Sequence, residues 1–394
     1  MPMTRRPLRL ALATLAALLA AMLAVPAASS AAAAPERWTP VTATVVAPPQ
    51  PVEGSDGRIH LAYELLLVNR SFMPPARVTL RRVDALAGGR VVASLRGRRL
   101  AAVTLPFGSA RPGARLAKGE AAYVLMDVRL PRGARVPRRL EHRLAIAMRP
   151  DAGVSARTYR TAPTRVDRRP AVVVAPPLRG AGWVVGNGCC ADFTSHRAGV
   201  LPVDGGLYAS ERYAIDFIQI DPAGRLVTGP AERLASYPFY GAEVLAAAGG
   251  RVVAVVDHLP DTPPGALPPT TAARAGGNHV VVAMGRGRWA LYAHLKPGSV
   301  RVRVGDRVRT GDVLGLLGSS GNSNAPHLHF HVMDGPRPLA ANGLPFRFDR
   351  YAVQGTLRNF NGLFAGERAR LAPRMVGEHR RQLPFNLQVI DFPG

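Results

Sequence analysis

Apolar and polar residues alternate in short runs along most of this chain. In the first half the runs fall at residues 59–68, 76–80, 91–95, 121–128 and 142–147, and Gly, Pro and Arg punctuate them. A period of two sends alternate side chains to a buried face and to water, the signature of a half-buried strand. Several short strands at this spacing, with little sign of helix, predict an antiparallel β-sandwich of immunoglobulin-like type over residues 35–164. No chemistry stands out within it, and His60 and His142 sit in strand patterns as packing or surface residues. Residues 165–181 are rich in Pro and Arg, with Ala175, Pro176 and Pro177 among them, and predict a linker.

The second half is strand-rich again, at residues 242–247, 250–256, 279–283, 289–295 and 312–317. A Pro/Thr/Ala/Gly insertion at 257–277 is long for a loop inside a compact domain, and predicts a lid or a poorly ordered segment. The sharpest pattern lies at 324–332. His327, His329 and His331 take alternate positions of a strand and share one face, while Leu328, Phe330 and Val332 point the other way into a core. A row of imidazoles suggests metal binding or proton transfer, the two tasks this side chain performs most often.

Composition changes the picture at three places. Arg5, Arg6 and Arg9 precede an apolar run at 10–25 and small residues at 27–34. This is the layout of a secretory signal peptide over residues 1–34, with an uncleaved N-terminal anchor as its rival. Either one exports the protein to a periplasm, cell wall or medium, and the signal reading leaves no membrane span once the segment is removed. Lys and Arg number 51 against 26 Asp and Glu, a net charge of +25. The arginines are scattered through both halves, so an exported chain would meet anionic envelope polymers and no nucleic acid is expected as a partner. A GC-rich genome, whose codons favour arginine, explains the same excess without a binding role. The two cysteines, Cys189 and Cys190, are adjacent. They exclude a disulfide framework for the chain, and leave open a vicinal disulfide, buried thiols or an intermolecular bridge.

Several motifs stand together between residues 182 and 355: His196 with Arg212-Tyr-Ala-Ile-Asp-Phe217, then Leu291-Tyr-Ala-His-Leu295, then Gly318-Ser-Ser-Gly-Asn-Ser-Asn-Ala-Pro-His-Leu-His-Phe330. The stretch at 304–315 adds a β-turn-β element. In these motifs the chain resembles the lysostaphin/LytM-type zinc metallopeptidases, which cut peptide bonds in bacterial peptidoglycan. The resemblance implies an antiparallel β-sheet peptidase domain of the duplicated hybrid motif type over 182–355, preceded by the sandwich and followed by a C-terminal extension at 356–394. It implies Zn2+ as cofactor, with His196, Asp216 and His329 as ligands and with His294 and His327 flanking the reacting carbonyl. Two neutral imidazoles and one carboxylate leave a tetrahedral zinc one open position for water, the arrangement of a catalytic site. Peptidoglycan, or another anionic polymer of the envelope, is the implied partner.

Two departures stand out. In many relatives the first His and the Asp lie a few residues apart, whereas His196 and Asp216 are twenty apart here, and residues 201–208 read as a hairpin-like excursion between them. At His331, relatives often carry Glu or Gln. This imidazole either tunes a ligand from behind or caps the strand face. Arg212 and Tyr213 beside Asp216 are expected to orient it or to close the groove. Tyr292 is expected on the face shared by His294, as an oxyanion donor or a shelf for substrate. Asn187 and Asn322 read as turn residues, and His258, His279 and His379 as structural. Three other functions compete: a catalytically silent regulator of another wall hydrolase, a basic wall-binding module, and a lipoyl- or biotinyl-type carrier. The regulator should have lost ligands, and none is lost. The carrier needs a lysine at a hairpin tip, a setting that neither Lys118 nor Lys296 has.

Overall fold

A computed structural model describes residues 38–394 apart from 71–76, 108, 110, 150–154 and 191–192. The expected signal segment lies outside the described residues. The protein is all-β, and the helices among the described residues are short turns at Gly97–Ala102, Ser195–Ala198 and Phe360–Phe364, with one 3-10 turn at Leu234–Ser236.

The first half folds as two facing antiparallel sheets. One runs Val41–Val45, Ile59–Asn69, Ala121–Leu130, Thr104–Pro106, with Pro51–Glu53 on Ile59–Asn69. The other runs Ser155–Arg165, Arg139–Arg149, Arg77–Ala87, Arg90–Arg96, with Arg115–Leu116 on Arg77–Ala87. Leu61, Tyr63, Leu65 and Val124 from the first sheet pack against Val78, Leu80, Leu144 and Ile146 from the second. His142 joins the sheets: its Nδ1 donates to Ala162 O at 2.9 Å, and its Nε2 accepts from the Tyr63 hydroxyl at 2.7 Å. It serves packing, as expected.

Ile59–Asn69 is buried on both faces. Leu61, Tyr63, Leu65 and Leu67 enter the sandwich core, while Ala62 belongs to the core of the second half and Glu64 is wholly buried. That double burial explains why its apolar run is nearly continuous.

Among the described residues, the second half is built on one sheet of thirteen strands, with two two-stranded pairs beside it, Val200–Val203 with Gly206–Ala209 and Glu243–Leu245 with Val313–Leu316. From edge to edge its main path is Val172–Val174, Phe346–Leu357, Gln388–Phe392, Gly180–Gly186, Ile215–Gln219, Leu328–Met333, Arg288–Leu295, Asn278–Gly285, Gly250–Val256 and Arg307–Val308. The stretch expected as a linker supplies the edge strand Val172–Val174, which runs parallel to Phe346–Leu357. The stretch expected as a C-terminal extension supplies Gln388–Phe392, which sits inside the sheet between Phe346–Leu357 and Gly180–Gly186. Val389 and Ile390 are buried there with Phe217, Phe330, Phe346 and Phe348. Thr39–Gly394 forms one compact unit. Cys189 and Cys190 are bonded to each other as a disulfide, which decides among the alternatives that the sequence left open.

His60 is buried between two carboxylates, with Nδ1 at 2.9 Å from Asp127 Oδ1 and Nε2 at 3.1 Å from Asp56 Oδ1. Burial alone would lower its pKa, but hydrogen bonds and charge from Asp127 and Asp56 outweigh it and raise the imidazole to about 9. The same pairing holds both carboxyls below their usual range. A raised histidine contributes stability in full below its unfolded value of about 6.5, and loses it as pH rises through the folded value. The lowered carboxyls contribute above about pH 4 and lose their share in acid. His60→Gln should therefore lower the melting temperature most between about pH 4.5 and 6.5, by the equivalent of about 1–3 kcal/mol. The gap from wild type should close above about pH 9. Melting curves of both proteins from pH 4.5 to 10 check this, and a gap constant across that range would contradict a charged His60.

Candidate metal centre

Three neighbouring strands carry the histidines and the aspartate to one face. In the antiparallel pairing of Ile215–Gln219 with Leu328–Met333, Asp216 lies directly opposite His329. On the other side of that strand, Ala293 lies opposite His329 and Leu291 opposite His331. Leu328, Phe330 and Val332 turn into the core, as the alternation predicts. Gly186 lies opposite Asp216 on the next strand, where an added Cβ would stand 2.8 Å from Asp216 O. Only glycine lets the strands approach there.

His196 arrives from outside the sheet, on the short turn Ser195–Ala198, whose first residues are capped by Thr194. The excursion after it is a hairpin of Val200–Val203 and Gly206–Ala209 that leads back to Asp216. His196 Nδ1 donates to Ala214 O at 3.0 Å, which turns Nε2 toward Asp216 Oδ2 at 3.2 Å. His329 Nδ1 lies 3.0 Å from Asp216 Oδ1. One donor atom from each of His196, Asp216 and His329 lies within 4.8 Å of the others.

This set suits zinc. The far nitrogen of each imidazole is occupied, in His196 by a backbone carbonyl and in His329 by His331 Nδ1 at 2.9 Å, and such partners aim the inner nitrogen in metal sites. Burial opposes charge on His196, yet Asp216 outweighs it and raises the imidazole to about 9. Asp216 is held well below the carboxylate range, burial being overcome by His196, His327 and His329. The Asp216 carboxylate thus stays ionised between the imidazoles, and metal binding at such a set would displace protons. A second grouping, His60, Asp127 and Cys190, is committed elsewhere, its sulfur to the disulfide and its imidazole to two carboxylates.

His294 and His327 stand beside the trio, their ring centroids 4.5 Å apart. His327 Nδ1 donates to Ala325 O at 2.8 Å and His294 Nδ1 to Ser320 O at 2.7 Å, so each keeps Nε2 as the basic nitrogen. Burial lowers the pKa of both, that of His294 strongly, helped by the neighbouring histidines. Both are neutral near pH 7. His331 is also neutral, chiefly through burial, and it touches His329 from behind.

Tyr292 does not share a face with His294. His294 has a φ of 62°, which breaks the alternation and swings its ring to the metal face. Tyr292 stays in the core opposite Phe330, where its hydroxyl accepts from Ala247 N at 2.7 Å. It is neither an oxyanion donor nor a shelf. Arg212 and Tyr213 are buried too, and point away from the groove toward Glu64, Gln50 and Ala62. Asn187 is a turn residue, with φ of 54°, yet its Nδ2 also donates to Asp216 Oδ2 at 2.8 Å. The sequence signal for that contact was its place between Gly186 and Gly188, just past the end of the strand beside Asp216.

The five side chains lie in a groove of about 680 Å³. One wall is the 257–277 insertion, which clasps the turn at 318–324 through Thr262 N to Ser319 O and Asn322 N to Ala275 O. Gly321 faces Gly277 so closely that an added Cβ would stand 2.3 Å from Gly277 N. The opposite wall includes Asp204, Arg337 and Pro338.

Residues 236–341 match the model of peptidase family M23. A stretch of 61 residues, 15% of this chain, is 44% identical to the glycyl-glycine endopeptidase ALE-1 of Staphylococcus capitis and covers 16% of it. A stretch of 65 residues, 16% of this chain, is 35% identical to the peptidoglycan DD-endopeptidase ShyA of Vibrio cholerae and covers 15% of it. The chain thus spans about a sixth of the length of these curated relatives. The catalytic domain of lysostaphin from Staphylococcus simulans is 23% identical over 41% of this chain and 88% of that domain, at a TM-score of 0.23, a likeness too low to carry an inference. The family match takes in His294, His327 and His329, while His196 and Asp216 precede it. In its second half, this chain carries a domain of peptidase family M23.

Proposed function

We propose that this chain is an exported zinc metallo-endopeptidase that hydrolyses peptide bonds in peptidoglycan. The observation that carries the reading is the convergence of His196, Asp216 and His329 beside two neutral imidazoles in an open groove. The family match and the names of the relatives support the reaction and the substrate. Together with the basic apolar N-terminal segment, they support a place in the envelope or outside the cell. No helix among the described residues is long and apolar enough to cross a membrane. A silent regulator would be expected to lack a ligand, and all five side chains are present.

His196, Asp216 and His329 would hold the zinc, which supplies a Lewis acid for the scissile carbonyl and acidifies the attacking water. His327 and His294 each offer Nε2 to the groove. As water attacks, one imidazole takes the released proton, and the departing amine receives a proton from the pair. A proton on either ring also sets positive charge beside the developing oxyanion.

The purified mature protein should carry about one zinc per chain. Metal analysis of the His196→Ala, Asp216→Ala and His329→Ala proteins should show lowered occupancy, and full retention in His329→Ala would sink the ligand set.

His294→Ala and His327→Ala should keep their zinc and lose on the order of 10²-fold or more in kcat. Digestion of purified peptidoglycan of several chemotypes, with mass spectrometry of the released ends, measures the rate and identifies the bond. If wild type releases no new amino ends from any chemotype, the substrate is wrong. If zinc is lost together with activity in either variant, these histidines are ligands.

A further inference from the structure

The twenty-residue path from His196 to Asp216 is docked on the N-terminal sandwich. Val200 and Ala209, on the two strands of its hairpin, are buried in the sandwich core cluster. Arg197 directly follows His196 and is 1% exposed, and Arg212, four residues before Asp216, is 3% exposed. Both guanidiniums converge on one sandwich carboxylate, Glu64, which is 0% exposed. Arg197 Nη1 lies 2.7 Å from Glu64 Oε1, and Arg212 Nε lies 2.9 Å from Oε2, with its Nη2 on the same oxygen. Two further contacts tie the guanidiniums to the sandwich side: Arg197 Nη2 to Met126 O at 3.0 Å, and Arg212 Nη2 to Ala47 O at 3.3 Å.

Two buried cations on one buried anion are a poor way to gain stability, because desolvation of the three groups offsets their attraction and apolar residues of similar volume do as well. What such a group supplies is direction. A guanidinium fork fixes both distance and plane against a carboxylate. Here the Arg212 fork, with Nε and Nη2 on Glu64, and the single Arg197 Nη1 bond to the other oxygen grip the two segments that deliver Asp216 and His196, each within four residues of its ligand.

We propose that Glu64 is a positioning residue for the metal centre: by clamping Arg197 and Arg212 it sets the spacing of His196 and Asp216, so that the N-terminal sandwich is a structural part of the metal site. This rests on the metal-site reading above. The clamp takes the place of the short His-to-Asp spacing, which would otherwise hold the two ligands together through the backbone alone.

The test is zinc affinity of the full chain, by competition with a chromophoric chelator, alongside melting temperature and amide hydrogen exchange over residues 194–216. Glu64→Gln keeps the shape and removes the charge. It should weaken zinc binding on the order of 10- to 100-fold, as loss of a residue that orients a metal ligand does, and speed exchange over 194–216 in the metal-free protein. Arg212→Lys keeps the charge and loses the fork. It should weaken binding in the same direction, and it serves as the test if Glu64→Gln does not fold. Ser55→Ala is the control, because Ser55 Oγ makes a separate buried contact, 3.0 Å from Gln388 Oε1, between the sandwich side and the sheet. It should lower the melting temperature and leave zinc affinity unchanged. Wild-type-like affinity, within about twofold, in the folded Glu64→Gln protein, or in Arg212→Lys if that variant is the one that folds, overturns the clamp. Equal weakening by Ser55→Ala overturns it too, by reducing it to general stability. A wild-type chain that takes up no zinc removes the metal-site reading and the clamp with it.

Discussion

Antiparallel register between Ile215–Gln219 and Leu328–Met333 is the constraint on which the site depends. It sets Asp216 opposite His329, and side chains opposite each other in a sheet stand about 4.5–5.5 Å apart at Cβ. A slip by one residue would send Asp216 or the histidines into the core and Phe217 or Phe330 into the groove. The apolar partners on the far face forbid it. Phe217, Phe330, Phe346 and Phe348 are all fully buried together, and exposing one such ring costs about 1.5–3 kcal/mol. The aromatic core thus holds the metal face in place from behind.

That core is completed from distant parts of the chain. Gln388–Phe392 pairs with Gly180–Gly186, which pairs with the strand of Asp216. Gln388–Phe392 therefore lies two strands from the strand of Asp216. On the other flank, His294 reaches the groove through a left-handed backbone conformation, which costs a residue with a Cβ about 1–2 kcal/mol. Its backbone is tied on both sides, by His294 N to Gly276 O at 3.1 Å and by Gly318 N to His294 O at 3.1 Å. The insertion and the glycine-rich turn that line the groove are the same segments that hold this conformation. Groove wall and His294 are thus one mechanical unit.

The protonation states follow from placement. His196 and His294 are both buried histidines, yet the pKa of one rises to about 9 and that of the other falls far below its usual value. The difference is a partner. His196 faces the carboxylate of Asp216, whereas His294 faces His327 and His329 and donates to a neutral carbonyl. One fold thereby places an imidazole–carboxylate trio that carries charge and a pair of neutral imidazoles within a single groove.

The sequence by itself determined the strand content and the shared face of His327, His329 and His331, because alternation is a local property of the chain. Through the resemblance of its motifs it also singled out the five side chains that the fold gathers into one groove. The hairpin between His196 and Asp216 was legible as well, from turn residues and flanking apolar positions. Tyr292 was misplaced because strict alternation fails where one residue takes a positive φ, and nothing in the types of Tyr292, Ala293 and His294 announces that. Only the tertiary structure decided what covers the outer face of Ile59–Asn69, why Glu64 sits in an apolar strand, and that residues 172–174 and 388–392 close the peptidase sheet. Each of these depends on contacts between residues more than a hundred positions apart, and neither periodicity nor motif spacing reaches that far.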